Sequence, residues 1–225
     1  MRRFCTLSYV LGLILVVFGL TYVLPIMTSL YFEDGMLDHF VQGMAINIIS
    51  GGALSLSTMM FRGEIKNRDG YLLVAIFWVL MAAAATLPLM WGIPDLSFTD
   101  AFFETMSGFT TTGATVLSGL DNLAPSLNLW RHELIWVGGL GIIVLAVAIL
   151  PLLGVGGMQL YKAEIAGPVK DSKLTPRIAE TARLLWLVYA GITAACVVCL
   201  KFAGMDWFDA ICHSFATLGL GGFST

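Results

Sequence analysis

Charge is what this chain is short of. Asp, Glu, Lys and Arg make up 12% of its 225 residues, against about a quarter in a soluble domain, and that shortage excludes an ordinary water-soluble globule. Histidine is equally sparse: His39, His132 and His213 sit on separate segments and make no ligand set. Of four cysteines, only Cys196 and Cys199 have redox or metal spacing. They lie in an apolar run without a second pair, so they are expected to pack in a core. Cys5 and Cys212 pair with nothing obvious. The apolar runs hold no cluster of ionisable groups, so there is no catalytic constellation, and neither an enzyme nor a bound cofactor is expected. No nucleic-acid partner is expected of a chain with net charge −3.

What is present is apolar: 58% of residues are hydrophobic and the mean hydropathy is +0.86. Five runs carry no charged residue: Phe4 to Phe32, Phe40 to Phe61, Tyr71 to Pro94, Leu134 to Leu160, and Leu184 to Leu200. About 20 residues of helix cross hydrocarbon, so five transmembrane helices are expected. Met1-Arg2-Arg3 before the first run resembles a signal peptide, but the run is too long and lacks a small-residue cleavage site, so a retained helix is expected. With a cytoplasmic N-terminus, Arg2, Arg3, Arg62, Lys66, Arg68, Lys162, Lys170, Lys173, Arg177 and Arg183 lie inside. Only Arg131 and Lys201 fall outside. The outer segments are acidic instead: Glu33, Asp34, Asp38, Asp95, Asp100, Glu104, Asp121, Asp206 and Asp209. These form a negative mouth that concentrates cations, or they merely collect where bases are excluded.

The connection between Pro94 and Leu134, about forty residues, is too long for a turn and too apolar for a solvated loop. Part of it is expected to re-enter the membrane. Ser97-Phe98-Thr99-Asp100 has capping-box spacing and starts a helix of about twelve residues, roughly 18 Å or half a bilayer. That half-helix aims its negative C-terminal end at the small, hydroxyl-rich segment Thr110-Thr111-Thr112-Gly113. Gly113 is open to backbone angles closed to other residues, so consecutive carbonyls can turn toward one axis and replace water around a cation.

An internal repeat extends this reading. Asp100-Ala101 and Asp209-Ala210 are 109 residues apart, and the same offset places Thr110, Thr111, Thr112 and Gly113 on Gly219, Leu220, Gly221 and Gly222. The second copy has Asp206 as its cap, and His213 lies in its short helix, where it is expected to hold the loop by hydrogen bonding. Thr111 and Leu220 differ in polarity at equivalent positions, which assigns ion contact to the backbone rather than the side chain. Neither loop follows a strand or precedes the lysine that a phosphate loop requires. Gly138, Gly139 and Gly141 are expected to let helices approach closely.

The stretches Asp100 to Glu104, Thr110 to Thr115, Gly138 to Pro151, Gly156 to Tyr161, Arg177 to Ala182, His213 to Thr217 and Gly221 to Thr225 resemble the N-terminal part of Trk-type potassium-uptake membrane subunits. The wider superfamily also contains Ktr and HKT transporters. The resemblance covers most of the chain beyond residue 60, and the first two spans are similar to the extra pair that precedes the repeats in that family. It implies an all-α membrane fold of repeats, each a span, a re-entrant pore helix, a filter loop and a span. Four such repeats surround one pore. On that pattern residues 1–69 form the two extra helices and 70–160 the first repeat. Residues 161–182 are a cytoplasmic connection, and 183–225 a second repeat that stops after its filter. The chain is therefore expected to be an N-terminal portion of a potassium-uptake subunit in the cytoplasmic (inner) membrane; the alternative is a structural membrane subunit that does not conduct by itself.

The same resemblance places potassium-coordinating carbonyls on Thr110, Thr111, Thr112 and Gly113, and on Gly219, Leu220, Gly221 and Gly222, with Thr111, Thr112, Leu220 and Gly221 foremost. Relatives with glycine at the Gly113 position favour potassium, and those with serine there admit sodium. Potassium is the expected ion and lipid the surrounding medium, while channel-like passage and proton-coupled symport both stay open. The family further implies a homodimer and a cytosolic nucleotide-binding regulatory subunit. Tyr161 to Arg183 offers an inner surface for such a subunit, or reflects positive-inside bias alone.

Overall fold

In hydrocarbon no water is available to backbone N–H and C=O groups, so each segment must satisfy its own. A computed structural model describes residues 2–61, 67–149 and 174–225, and among these every regular element is helical. Eight α-helices follow in order: α1 (Arg2–Gly19), α2 (Val23–Phe32), α3 (Leu37–Thr58), α4 (Asn67–Gly92), α5 (Phe98–Phe109), α6 (Pro125–Ile149), α7 (Leu174–Phe202) and α8 (Trp207–Gly219). Four stretches of the described residues are long and apolar enough to cross a membrane: Phe4–Phe32, Leu37–Thr58, Gly70–Gly92 and Glu180–Phe202. This is a multi-pass membrane protein. The fifth expected run, Leu134 to Leu160, is helical through Ile149, and its remainder lies outside the described residues. So does most of the Tyr161 to Arg183 stretch; α7 is already helical at Leu174.

The first span bends where its sequence removes a donor. Pro25 has no N–H to offer the Thr21 carbonyl, and the helix tightens into a 3₁₀ turn at Leu20–Tyr22 between α1 and α2. α1 lies along α3, and two glycines make the approach possible. A methyl on Gly12 would stand 2.6 Å from the Gly51 carbonyl oxygen, and one on Gly51 2.6 Å from that of Gly12.

Pro88 interrupts α4 in the same way, but here neighbours repair the ladder. The Tyr22 hydroxyl donates to the freed Ala84 carbonyl at 2.9 Å, and Trp130 Nε1 donates to Ala85 at 3.0 Å. Thr105 Oγ1 reaches Ala82 at 2.8 Å. These bonds pin α4 to the end of the first span, to α5 and to α6. Phe18, Tyr22, Phe40, Phe109 and Trp130 close the core between them, with Tyr22 and Trp130 ring centroids 4.4 Å apart.

α6 begins at Pro125, nine residues before the apolar run at Leu134. Proline suits a first helical position. The polar stretch that follows, Arg131-His132-Glu133, is buried against protein rather than exposed in a loop. α6 then runs between α5 and α8 and packs on both, while α7 contacts α6 and α8. Tyr189 Oη donates to the Trp136 carbonyl at 3.1 Å, and Trp136 Nε1 to Thr193 Oγ1 at 3.0 Å.

Candidate functional site

Both short helices start from the residues their sequences nominate. Ser97 Oγ accepts the Asp100 N–H at 3.1 Å and donates its own proton to Asp100 Oδ2 at 2.7 Å. The acidic side chain thus answers the cap hydroxyl instead of a backbone N–H. Asp206 accepts the Phe208 N–H at 3.4 Å to start α8. In both helices the fourth turn position closes identically, Ala101 N on Ser97 O and Ala210 N on Asp206 O, each at 2.9 Å.

The 109-residue offset persists through the helix ends. Thr111 N donates to Gly108 O at 2.9 Å and Thr112 N to Ser107 O at 2.8 Å. In the second copy Leu220 N donates to Thr217 O at 3.2 Å and Gly221 N to Ala216 O at 3.0 Å. This pair of bonds closes a helix with a left-handed residue, ordinarily glycine. Here those residues are Thr111 (φ 57°) and Leu220 (φ 56°), and two positions on, Gly113 (φ 74°) and Gly222 (φ 81°) are left-handed as well. Thr110 ends the first helix, its hydroxyl bonded to Met106 O and Thr112 Oγ1, both at 2.8 Å. Gly219 ends the second and is buried. Leu220 is 87% exposed, so its side chain is held by nothing among the described residues.

The two loops meet. A methyl on Gly113 would lie 1.4 Å from the Gly221 carbonyl oxygen, so a side chain there requires the two loops to move apart. Among the described residues no such neighbour stands over Gly222, and the two glycines, equivalent in sequence, differ in surroundings. Behind the loops, the expected close packing of Gly138 and Gly139 is confirmed. A methyl on Gly138 would lie 1.9 Å from the Phe109 carbonyl oxygen, and one on Gly139 2.8 Å from Gly219 Cα. Among the described residues Gly141, by contrast, meets only Trp78, at 3.8 Å.

The chain after each loop is tied to its own short helix at the same repeat position. Glu104, fully buried, accepts from Thr115 Oγ1 at 2.9 Å and from Val116 N at 3.1 Å. Its counterpart His213 places Nε2 3.2 Å from Thr225 Oγ1, the holding role expected of it. Arg131 pairs with Glu104 at 2.7 Å. Sequence reasoning missed this pair. Glu104 does not line a negative mouth, one of the two readings left open for the acidic residues, because it and Arg131 are each the partner that lets the other be buried. The available signal was positional: Glu104 and His213, both polar, share one register in an otherwise apolar helix.

Asp34 also leaves the mouth. It accepts from Ser29 Oγ and from the N–H groups of Met36 (3.1 Å) and Ser126 (2.9 Å), tying the first hairpin to α6. Burial raises its carboxyl pKa, but these hydrogen bonds outweigh burial and hold it below the usual aspartate range. Glu33, Asp38, Asp95, Asp100, Asp121 and Asp206 remain exposed. The histidines are less scattered than expected, since His132 and His213 rings lie 6.2 Å apart, yet the described residues contain no group of three ligands suited to a metal. Cys196 and Cys199 are not core residues. They sit half-buried and exposed on α7, and both are free thiols, as are Cys5 and Cys212.

Residues 36–225 match the family model TrkH, described as a cation transport protein. The chain belongs to this family. It is 53% identical over 96% of its length to the Trk system potassium uptake protein TrkH of Halomonas elongata, and 50% identical over 99% to that of Escherichia coli K12. The crystal structure of the potassium transporter TrkH from Vibrio parahaemolyticus matches 98% of the chain with a TM-score of 0.86 at 43% identity. The chain spans 45% and 46% of the two relatives' lengths and 44% of the crystallised chain.

Proposed function

We propose that the two loops are two strands of a potassium-selective filter in the pore-forming subunit of a Trk-type uptake system. Backbone carbonyls of Thr110, Thr111, Thr112 and Gly113, and of Gly219, Leu220, Gly221 and Gly222, replace the ion's hydration shell. The observation that carries this reading is the shared backbone: the same left-handed positions and helix-end bonds recur 109 residues apart, and the loops meet at Gly113 and Gly221. A threonine and a leucine perform one conformational role, which favours main-chain ligation. The C-terminal ends of α5 and α8 add partial negative charge suited to a cation. Potassium is favoured over sodium by glycine at Gly113.

The N-terminus is proposed to face the cytoplasm from the inner membrane, in keeping with the lysine and arginine distribution. Residues 1–69, 70–160, 161–182 and 183–225 are proposed as the paired spans, the first repeat, the cytoplasmic connection and the second repeat. Homodimerisation and a cytosolic nucleotide-binding regulatory subunit are proposed from the family resemblance, with docking around Lys170 and Lys173.

Gly113→Ser in the full native gene product tests the filter directly. Rubidium and sodium uptake are measured in proteoliposomes, and the variant is expected to raise sodium permeation relative to potassium. Unchanged selectivity in a variant that still transports would remove the assignment.

A further inference from the structure

Arg131 touches the chain just beyond both loops, and stability alone does not explain why it is there. Its Nε donates to Glu104 at 2.7 Å and its Nη2 to Thr115 Oγ1 at 3.3 Å, on the strand leaving the first loop. Its guanidinium carbon lies 4.4 Å over the ring of Phe223, on the strand leaving the second. Its Nη1 donates to Asn128 Oδ1 at 3.0 Å, and Asn128 Nδ2 donates to the Thr225 carbonyl at 3.4 Å. Arg131 and Glu104 are 1% and 0% exposed, and Phe223 is 4% exposed. A buried ion pair is generally worth little more than well-packed apolar residues of the same size, because desolvating two charges offsets their attraction. What it supplies is directed geometry: a planar fork that hydrogen-bonds at its edge and stacks on its face.

We propose that Arg131 is a positioning residue that fixes the spacing between the two filter strands and so contributes to monovalent-cation selectivity. The proposal rests on the filter reading above. The strands are held asymmetrically, the first through the carboxylate of Glu104 and the second through the Phe223 ring and Asn128. The guanidinium contacts both holds. Lysine would keep the charge but lose both the fork and the stack.

The test is made in the full native gene product reconstituted in proteoliposomes, with membrane abundance, thermal unfolding and the potassium-to-sodium uptake ratio measured together. Arg131→Lys and Phe223→Leu are each expected to lower that ratio about tenfold, equivalent to about 1.4 kcal/mol of coupling. The paired variant Glu104→Gln with Arg131→Met is expected to unfold near the wild-type temperature while losing the same selectivity, an outcome a merely structural ion pair would not give. If the Arg131 variants do not accumulate, Phe223→Leu decides, since it leaves the ion pair intact. A ratio unchanged in Phe223→Leu, or in an accumulating Arg131→Lys, overturns the proposal. A wild-type protein that takes up sodium as readily as potassium would overturn the filter reading itself.

Discussion

Thr111 and Leu220 adopt a conformation that their side chains resist. A left-handed residue with a Cβ costs about 1–2 kcal/mol, and at a helix end it is usually avoided by glycine. Here glycine is reserved for Gly113 and Gly222, two positions further on. Leu220→Gly is therefore expected to stabilise the protein by up to about 1 kcal/mol, the relieved strain less the added freedom of the unfolded chain. A rise in thermal unfolding temperature in detergent would show it, and a fall would mean that leucine contributes contacts that outweigh the strain. The two glycines make a sharper contrast. Gly113→Ala places a methyl 1.4 Å from the Gly221 carbonyl oxygen, whereas at Gly222 the same methyl meets nothing among the described residues. Potassium uptake is expected to fall further in the first variant than in the second. Equal effects would contradict the asymmetric meeting of the loops. Glycine at 113 was readable in the sequence as an enabling residue. The strain at Thr111 and Leu220 was not, because nothing in a threonine or a leucine announces φ near +57°; the helix-end hydrogen bonds impose it.

Single elements show how irregular backbone is made tolerable inside a bilayer. Pro88 orphans the Ala84 carbonyl, and Tyr22 answers it from the first span. Tyr22→Phe is expected to cost about 1–3 kcal/mol, the penalty of an unsatisfied buried acceptor. Adding Pro88→Ala should recover much of that by restoring the N–H; no recovery in chemical unfolding would sever the proposed link between the two residues. Asp34 acts at the same scale by pinning the first hairpin to α6. Its folded pKa is depressed, so its contribution is complete above the ordinary aspartate value of about 4 and is lost as pH falls through the lower folded value. Wild type and Asp34→Asn should therefore differ most at neutral pH, begin to converge near about pH 4 and meet only below the depressed folded value; an acid-stable difference would exclude the carboxylate as its source. The spans and caps were legible because hydropathy and Ser97 or Asp206 are local signals. The early start of α6 was not, since Arg131, His132 and Glu133 stand before the uncharged run that begins at Leu134.

At the level of the whole molecule, the 109-residue repeat gave the placement of both loops, and the fold keeps that register down to individual hydrogen bonds. The ion pair within the first repeat escaped notice because it is a contact between residues 27 apart on two helices rather than a pattern along one of them. Both loops rest on consecutive residues of one helix. Gly138 receives the end of α5 and Gly139 the end of α8. Gly138→Ala is expected to prevent assembly of a transporting protein, because its methyl meets backbone that cannot yield, while Gly141→Ala should leave uptake near wild type. A tolerated Gly138→Ala would show that α5 can withdraw from α6. One residue of α-helix rises about 1.5 Å, so the ends of α5 and α8 rest about that far apart along α6, and a displacement of α6 carries both short helices with it.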